Sequence, residues 1–166
     1  MKLNKKTTPL VSVIMNCHNG EKYLRESINS VMSQSYKNWE LIFWDNNSND
    51  NSKKVLLNFK DKRIKYFYSK SFLNLYHARN LAIKKSKGKY ISFLDTDDTW
   101  NKNKLKIQVI YLKKLKKKII YSNYHVLDIA KKSKRLISTT NLFEGHKTQD
   151  LLNDYRIGIL TILIDK

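Results

Sequence analysis

The stretch from Lys89 to Trp100, KYISFLDTDDTW, joins a short apolar segment to a cluster of aspartates. Its first part, Lys89–Leu94, is too short for a helix and predicts a buried β-strand. The cluster follows at once, and carboxylates at i and i+2 of an extended segment point to the same side. Asp95 and Asp97 could therefore share a hard divalent cation such as Mg²⁺ or Mn²⁺. Taken alone, the same residues also suit a turn that caps a helix.

The segments before this stretch alternate between strand and helix patterns. Short apolar runs predict the strands, and apolar residues at helical spacing predict the helices between them. The predicted strands are Leu10–Met15, Trp39–Trp44, Arg63–Tyr68 and Lys89–Leu94; the predicted helices start at Glu21 with Asn19 as N-cap, pass through Val55, Leu56 and Phe59, and cover Ser71–Lys87 with Gly88 as the C′ glycine. This alternation predicts an α/β domain with a mainly parallel sheet flanked by helices.

Polar clusters follow three of these strands, at Asn16–Asn19, Asp45–Asn47 and Asp95–Asp98. The carboxyl ends of parallel strands meet at one edge of a sheet, where ligands of such folds bind. The three clusters are therefore expected to converge, which strengthens the case for a ligand site beside the alternative of a plain turn. Asp45 by itself remains open between two roles, a turn residue and a carboxylate that accepts hydrogen bonds from a nucleotide base or ribose.

The pattern changes beyond Trp100. A basic amphipathic helix is predicted over Lys102–Lys118, with one apolar face made of Leu105, Val109, Leu112 and Leu115. Strands are predicted at Ile119–Tyr124, Arg135–Thr139 and Ile157–Ile164, with a short helix at Asp150–Asp154. Neither an internal repeat nor an interdomain linker is evident, and 166 residues suit one domain.

Composition narrows the class of protein and of partner. Hydrophobic residues make up 41% of the chain, which excludes a disordered tail. The single cysteine, Cys17, excludes a disulfide framework and suits a reducing compartment. The N-terminus lacks the apolar core of a secretory signal, and the longest apolar stretch is too short to span a membrane. A cytoplasmic protein is therefore expected.

The net charge of +19 predicts a polyanionic partner. More than half of it, +11, lies between Asn101 and Arg135. Three interpretations are open for this segment: a solvated surface, attachment to an anionic membrane at its inner face, or nucleic-acid binding. The last is the weakest, because the chain has neither a known nucleic-acid module nor zinc-ligand spacing.

At these residues the sequence closely resembles glycosyltransferase family 2, whose members have the GT-A (Rossmann-like) fold. The resemblance is carried by PLVSVIMNCHNGEKYLRESINSVMSQSYKNWELIFWDNNSNDNS, by HARNLAIKKSKGKYISFLDTDDTW and by NKNKLKIQVIYL. It is specific from about Pro9 to Trp100, and it continues more weakly through IIYSNYHVLD and IGILTILI. It implies transfer of a sugar from a nucleotide diphosphate sugar, most commonly a UDP-sugar, to an acceptor hydroxyl, with inversion at the anomeric carbon.

The resemblance also implies roles for single residues. Asp45 would contact the base, and Arg79 would lie near the base or the phosphates, to which a guanidinium is suited. Asp95 would contact the ribose or a Mg²⁺ or Mn²⁺ ion. Asp97 would hold that ion, with Asp98 nearby. Gly88 would allow a close approach into the fourth strand.

The end of the first strand departs from the family pattern, since it is Asn16-Cys17-His18-Asn19 here. Asn16 and His18 are still expected to lie against the nucleotide sugar. His18 stands where an aromatic residue commonly lies near the base, and stacking or a structural substitution are both open. Cys17 is expected to be a buried small side chain.

The catalytic base is the second departure. An inverting transferase needs a base to take the acceptor proton, and in this family it is usually an Asp of an acidic pair. The later acids here form no such pair; they are Asp128, Glu144, Asp150, Asp154 and Asp165. The base is therefore unassigned. Residues 9–100 are expected to form a complete donor half, and residues 101–166 an incomplete acceptor half.

Three functions follow. The first is a transferase, or its donor-binding part, that uses a saccharide or lipid-linked acceptor in the synthesis of envelope polysaccharide or glycolipid. The second is an inactive nucleotide-sugar-binding remnant or partner subunit. The third is a basic module that binds membranes or nucleic acid.

Overall fold

A computed structural model gives the structure of the protein and describes residues 8–137 and 157–166. Strands and helices alternate from Val11 to Phe93, as predicted. The elements are β1 (Val11–Cys17), α1 (Glu21–Met32), β2 (Trp39–Asp45), α2 (Ser52–Leu57), β3 (Ile64–Tyr68), α3 (Leu75–Lys85), β4 (Tyr90–Phe93), α4 (Lys104–Leu115), β5 (Ile119–Ile120), β6 (Tyr124–Asp128), β7 (Ser133–Ile137) and, after a 3-10 turn at Ile159–Thr161, β8 (Leu163–Asp165).

One sheet with the strand order β3-β2-β1-β4-β8-β5 organises the fold. The first four strands of this order are parallel, and β8 runs antiparallel to both β4 and β5. The prediction of a mainly parallel α/β sheet is confirmed. The strands β6 and β7 form a separate antiparallel hairpin. Because the parallel strands point the same way, their carboxyl ends form one edge of the sheet.

Both faces of the central strands β1, β2 and β4 are buried, as expected for strands of a parallel sheet covered on two sides. On one face, Leu24 and Ile28 of α1 and Leu105 and Val109 of α4 belong to the larger apolar cluster. On the other face, Ala78 and Ala82 of α3 pack against strand residues; these include Ile14, Ile42, Trp44, Ile91 and Phe93. Helices therefore cover the sheet on two sides and leave the edge of carboxyl ends accessible.

The predicted N-cap of α1 is wrong. Gly20 precedes the helix, and the cap comes from a distant residue, since Asp50 Oδ2 accepts from the backbone N–H of Glu21 at 3.0 Å. Asn19 instead has a left-handed backbone with φ 56°, which asparagine tolerates better than most residues. Its side-chain oxygen accepts a hydrogen bond from the backbone N–H of Asn49 at 2.9 Å. Asn19 thus joins the ends of β1 and β2 rather than starting the helix.

Both predicted ends of the helix over Ser71–Lys87 are also wrong. The helix begins at Leu75, where the side chain of Asn74 caps it by accepting from the backbone N–H of His77 at 2.9 Å. It ends at Lys85, and Ser86 leaves in an extended conformation, so Gly88 is not a C′ glycine. Gly88 instead lies against β1, where a Cβ atom would be 2.5 Å from Ser12 Oγ. The close approach implied by the family resemblance is the role that the structure supports.

The later elements depart further from their predicted bounds. In α4, Leu105, Val109 and Leu112 are buried as predicted, but Leu115 is half-exposed. Two elements are shorter than predicted: β5 stops at Ile120, and α2 ends before Phe59. Two are shifted: β7 starts at Ser133, and the first part of the predicted strand Ile157–Ile164 forms the 3-10 turn. The helix predicted at Asp150–Asp154 lies outside the described residues.

Candidate functional site

The ends of β1, β2 and β4 meet at one edge of the sheet, as the sequence predicts. The backbone N–H of Asn46 donates to the carbonyl of Cys17 at 2.7 Å, which joins the first two ends. The hydroxyl of Ser27 on α1 donates to the carbonyl of Asp95 at 3.0 Å, which holds the segment after β4 against α1. The polar clusters that follow the three strands therefore form one candidate site.

Asp45 is the last residue of β2, and two hydrogen bonds orient its carboxylate. Its Oδ1 accepts from the backbone N–H of Ser48, and its Oδ2 accepts from the hydroxyl of Tyr66, both at 2.9 Å. The residue is 1% exposed, yet it lines a surface pocket of about 390 Å³. Asp45 is therefore a turn residue and a pocket residue at once, because each carboxylate oxygen keeps a second acceptor position.

The rest of this pocket was not anticipated from the sequence. Tyr66 and Tyr68 of β3 line it together with Lys53 of α2, whose Nζ lies 5.6 Å from the centre of the Tyr66 ring. Burial, and next the bond to Asp45, raise the pKa of Tyr66. The alternation of RIKYFY was the available signal, since Tyr66 and Tyr68 must share one face of a strand.

His18 lies at the exposed end of β1 and has structural partners. Its Nδ1 lies 3.0 Å from the carbonyl of Asn46, which can only accept, so Nδ1 carries the proton. Its ring meets that of Phe72 edge-on, with the centroids 4.7 Å apart. The Asn46 side chain also binds both the N–H and the carbonyl of Leu73, which holds the segment that carries Phe72. Sequence reasoning missed Phe72.

Asn16 occupies a different place from the other predicted residues. It pairs in register with Trp44 of β2. Alternation along β1 puts it on the sheet face of Ile14, which α3 covers. Both polar atoms of the Asn16 amide are buried and have no hydrogen-bond partner among the described residues, and the same holds for the Trp44 Nε1. The structure therefore places Asn16 beneath the edge rather than on it.

The end of β4 combines clustered carboxylates with one arginine. Arg79 of α3 is mostly buried, and its Nη2 lies 3.1 Å from the Asp95 carboxylate. Asp97 is exposed and Asp98 is half-buried. Burial, followed by the charges of Asp97 and Asp95, raises the pKa of Asp98 to about 6. The negative charge thus exceeds the positive charge of the one arginine here.

This donor set fits a cation that completes its coordination with substrate. Among residues 8–137 and 157–166, no group of three or more His, Cys, Asp or Glu side chains is arranged to hold an ion. Mg²⁺ is usually held by one or two carboxylates and by substrate phosphates, so a complete protein cage is not required. Two adjacent carboxylates with excess negative charge meet that requirement.

The family model named Glycosyl transferase family 2 matches residues 12–163. The chain belongs to glycosyl transferase family 2. It is 35% identical over 157 residues to the UDP-Glc:alpha-D-GlcNAc-diphosphoundecaprenol beta-1,3-glucosyltransferase WfgD of Escherichia coli, a match that covers 95% of the chain and 60% of WfgD. Across three such curated relatives the chain spans 60–63% of their length.

Solved structures confirm the GT-A fold of this family-2 chain. TarS of S. aureus in complex with UDP is 26% identical and superposes with a TM-score of 0.63, over 66% of the chain and 33% of TarS. A mannosyltransferase from Pyrobaculum calidifontis, solved with GDP-Man and Mn²⁺, shares the fold at 20% identity and a TM-score of 0.63, over 68% of the chain and 35% of the enzyme.

The two later acids of this family-2 chain that the structure describes both lie near lysines. Asp128 in the hairpin lies 3.9 Å from Lys131, and Asp165 lies 3.7 Å from Lys118. Asp165 pairs in register with Tyr90, at the amino end of β4 and so at the opposite end of the sheet. Glu144, Asp150 and Asp154 lie outside the described residues. The catalytic base thus remains unassigned.

Proposed function

We propose that the protein binds a nucleotide diphosphate sugar, a UDP-sugar, and transfers the sugar to an acceptor hydroxyl with inversion. The observation that carries this proposal is the meeting of two complementary features at one sheet edge. One is the Asp45 pocket, and the other is the cluster of Arg79 with the Asp95, Asp97 and Asp98 carboxylates. A nucleotide sugar can use both features. The N–H groups of its base donate hydrogen bonds to acceptors such as Asp45, and its diphosphate is neutralised by cations such as Arg79 or a metal ion.

The Asp45 pocket is proposed to take the base. The carboxylate of Asp45 is held by Ser48 and Tyr66, so it can accept from a base N–H without first being oriented. His18 and Phe72 form an aromatic pair at the exposed end of β1. We propose that this pair borders the base.

The diphosphate is proposed to lie at the end of β4. Arg79 would turn its guanidinium from Asp95 towards phosphate oxygens, and Asp95 and Asp97 would hold Mg²⁺ or Mn²⁺, with Asp98 adjacent. Such an ion, when bound, neutralises the charge that develops on the leaving diphosphate. The protein's own residues position the two phosphates and exclude other orientations of the donor.

The two parts of the chain are proposed to divide the work. Residues 9–100 carry the donor site, and residues 101–166 contribute to the acceptor side. We propose a saccharide or lipid-linked acceptor, in the synthesis of envelope polysaccharide or glycolipid, because the name of WfgD specifies a diphosphoundecaprenol-linked sugar. The cytoplasmic location, peripheral at the inner face of a membrane, stays a prediction from the sequence.

Calorimetry with UDP, in the presence and absence of Mn²⁺, tests the donor site. Wild-type protein should bind UDP more tightly with Mn²⁺, and Asp97→Asn should reduce that metal-dependent gain at least about tenfold, because a ligand carboxylate is lost. Asp61→Asn is the matched control, since Asp61 lies before the amino end of β3 and pairs with Arg63. An unchanged gain in Asp97→Asn would overturn the assigned metal role.

A second variant separates the base from the diphosphate. Asp45→Asn should weaken UDP binding about tenfold both with and without Mn²⁺, because it removes a charged acceptor but leaves the end of β4 intact. Tyr66→Phe should weaken it less, since the Asp45 carboxylate remains and only its orientation is relaxed. If Asp45→Asn altered only the Mn²⁺-dependent part, the pocket would not be the base site.

One observation favours a donor-binding subunit without turnover as the second candidate. Of the two later acids that the structure describes, Asp165 lies at the opposite end of the sheet from the donor edge, and Asp128 is paired with Lys131. Release of nucleoside diphosphate from a UDP-sugar in the presence of a lipid-linked acceptor distinguishes the two. Sustained release by the 166-residue chain would exclude the inactive form.

A further inference from the structure

A basic pocket lies at the end of the sheet opposite to the candidate site. Its volume is about 310 Å³, near the lower limit for sites that hold small ligands. Tyr90 of β4 and Leu112 of α4 line it together with a single acid, Asp165. The other lining residues are all lysines: Lys89, Lys113, Lys116, Lys117 and Lys118. Five lysines against one acid leave an excess of four positive charges.

The ends of several elements hold these lysines in place. The backbone N–H of Asp165 donates to the carbonyl of Lys118 at 2.8 Å. That of Lys166 donates to the carbonyl of Lys89 at 2.9 Å. The end of β8 is thus fixed between the residues that directly precede β4 and β5. The remaining three lysines belong to the carboxyl end of α4, where Leu112 packs into the buried core. Both parts of the pocket are therefore anchored in the fold.

Lys116 holds a backbone conformation that costs energy. Its φ is 50°, in the left-handed region that glycine adopts without strain. Its backbone N–H donates to the carbonyls of Leu112 and Lys113, so the turn ends α4 as a glycine normally would. A lysine here brings charge to the pocket at the expense of backbone stability.

The end of α4 favours cations even without a ligand, because the helix macrodipole places roughly half a negative charge there. Asp165 adds one full negative charge, and its carboxylate lies 3.7 Å from the Lys118 Nζ. Together these charges balance fewer than two of the five lysines. The helix end and the acid therefore do not account for the pocket, and a bound anion would reduce the repulsion that remains.

We propose that this pocket binds the phosphate group of a phosphorylated ligand. An ammonium group binds phosphate as a point charge on a flexible stem, so several lysines can surround one phosphate. A terminal phosphate carries more than one negative charge, which suits the excess positive charge of the pocket. A soluble phosphate compound and a phospholipid headgroup both offer this group. No helix in the described part of the chain is long and apolar enough to cross a bilayer.

The pocket is separate from the proposed donor site. The strand β4 runs from Tyr90 to Phe93, and Asp95 follows its other end. With a rise of about 3.3 Å per residue, the two sites lie roughly 15 Å apart along the strand. The lysines bind phosphate directly, so this ligand needs no metal ion, unlike the proposed donor diphosphate. Both ligands can therefore be bound at once.

A nuclear magnetic resonance titration with inorganic pyrophosphate tests the pocket, without divalent metal and at an ionic strength of about 0.15 M, which screens diffuse charge. The amide resonances of Leu112, Lys116 and Lys118 should shift in a saturable way. The double variant Lys116→Gly, Lys117→Gln should bind pyrophosphate about fivefold more weakly, as expected for two solvent-exposed ion pairs. Glycine at position 116 relieves the left-handed strain, so this variant stays folded.

Co-sedimentation with vesicles of phosphatidic acid and phosphatidylcholine identifies the source of the phosphate. If the double variant binds these vesicles more weakly than wild type, the ligand is a lipid headgroup. If only its binding of pyrophosphate falls, the ligand is a soluble phosphate compound. Either result supports the pocket.

The control pair is Lys60→Gln and Lys62→Gln, which removes the same charge just before β3, at the opposite edge of the sheet. Equal weakening in both pairs would overturn the proposal in favour of diffuse charge, and so would pocket amides that do not shift. UDP calorimetry on the pocket variant should be unchanged, so failure here is distinct from failure of the donor site.

Discussion

Gly88→Ala is expected to lower the free energy of unfolding by about 3 kcal/mol. A Cβ atom at this position would lie 2.5 Å from Ser12 Oγ and 2.6 Å from the Ser12 backbone nitrogen. It would also lie 2.9 Å from the carbonyl of Tyr90. Two of these three neighbours are backbone atoms of central strands, which cannot move without distorting the sheet. The methyl group therefore has no room, and overpacking has to be absorbed by β1 and β4.

The displaced hydroxyl is also the centre of a buried hydrogen-bond relay. Ser12 Oγ accepts from the backbone N–H of Gly88 at 2.8 Å and donates to Glu40 Oε1 at 2.6 Å. Glu40 Oε1 accepts in addition from the backbone N–H of Lys87 at 2.7 Å. Moving Ser12 weakens the support of a buried carboxylate, which adds to the cost of overpacking.

Urea denaturation of wild type and variants measures this loss. Gly158→Ala is the matched control, because the nearest atoms to its added Cβ lie at 3.4 Å, an ordinary contact distance. That variant should differ from wild type by less than about 0.5 kcal/mol, as surface substitutions generally do. Similar losses for both variants would mean that the contact with Ser12 is not the cause.

The same glycine shows where sequence reasoning stops. Strands and helices followed from local periodicity, which depends on neighbours a few residues apart. The role of Gly88 depends on Ser12, 76 residues earlier in the chain. A C′ glycine and a close-approach glycine look alike in sequence, and only the pairing of β1 with β4 separates them.

The candidate site was also only partly predictable from the sequence. Convergence of the three polar strand ends was predictable, because it follows from parallel strands alone. Which side chains then meet was not, since Tyr66 reaches Asp45 across 21 residues and Phe72 reaches His18 through the turn that Asn46 holds. Asn16 differs from the others, because strand alternation puts its side chain on the face that α3 covers; its contact with a nucleotide sugar stays a prediction.

The burial of a charged side chain was also not predicted from the sequence. All three interpretations of the basic segment 101–135 treated its lysines as surface residues, yet Lys104 is buried. Its Nζ donates to Gln108 Oε1 at 2.8 Å and to Ser92 Oγ at 3.0 Å, and it lies 4.1 Å from the centre of the Trp100 ring. Three neutral groups thus surround a group that is normally charged.

The side chains around Lys104 position the segment that precedes β8. Three side chains around it each donate to one of three successive carbonyls, at Leu160, Thr161 and Ile162; the donors are Trp100 Nε1 at 3.0 Å, Gln108 Nε2 at 2.6 Å and Ser92 Oγ at 2.5 Å. Lys104 fixes two of them as donors, since it occupies the acceptor atoms of Ser92 and Gln108. The buried amine therefore ties α4 and β4 to the segment before β8.

Lys104 should make stability rise with pH above neutrality. Burial lowers its pKa from 10.5 to about 7, so the folded protein releases this proton near pH 7, while the unfolded chain keeps it up to about pH 10. Between these values the unfolded state binds one more proton. The free energy of unfolding should therefore increase by up to about 1.4 kcal/mol per pH unit, and below pH 7 this dependence should vanish.

The difference in unfolding free energy between wild type and Lys104→Met, measured by denaturant titration from pH 6 to 9, isolates this contribution. Methionine keeps an unbranched apolar stem and has no titrating group, so other groups cancel in the difference. Lys106→Met makes the same substitution at an exposed position of α4 and is the control. The difference for Lys104 should grow in favour of wild type above pH 7. A flat difference would show that the amine stays protonated in the fold, stabilised by Trp100, Ser92 and Gln108.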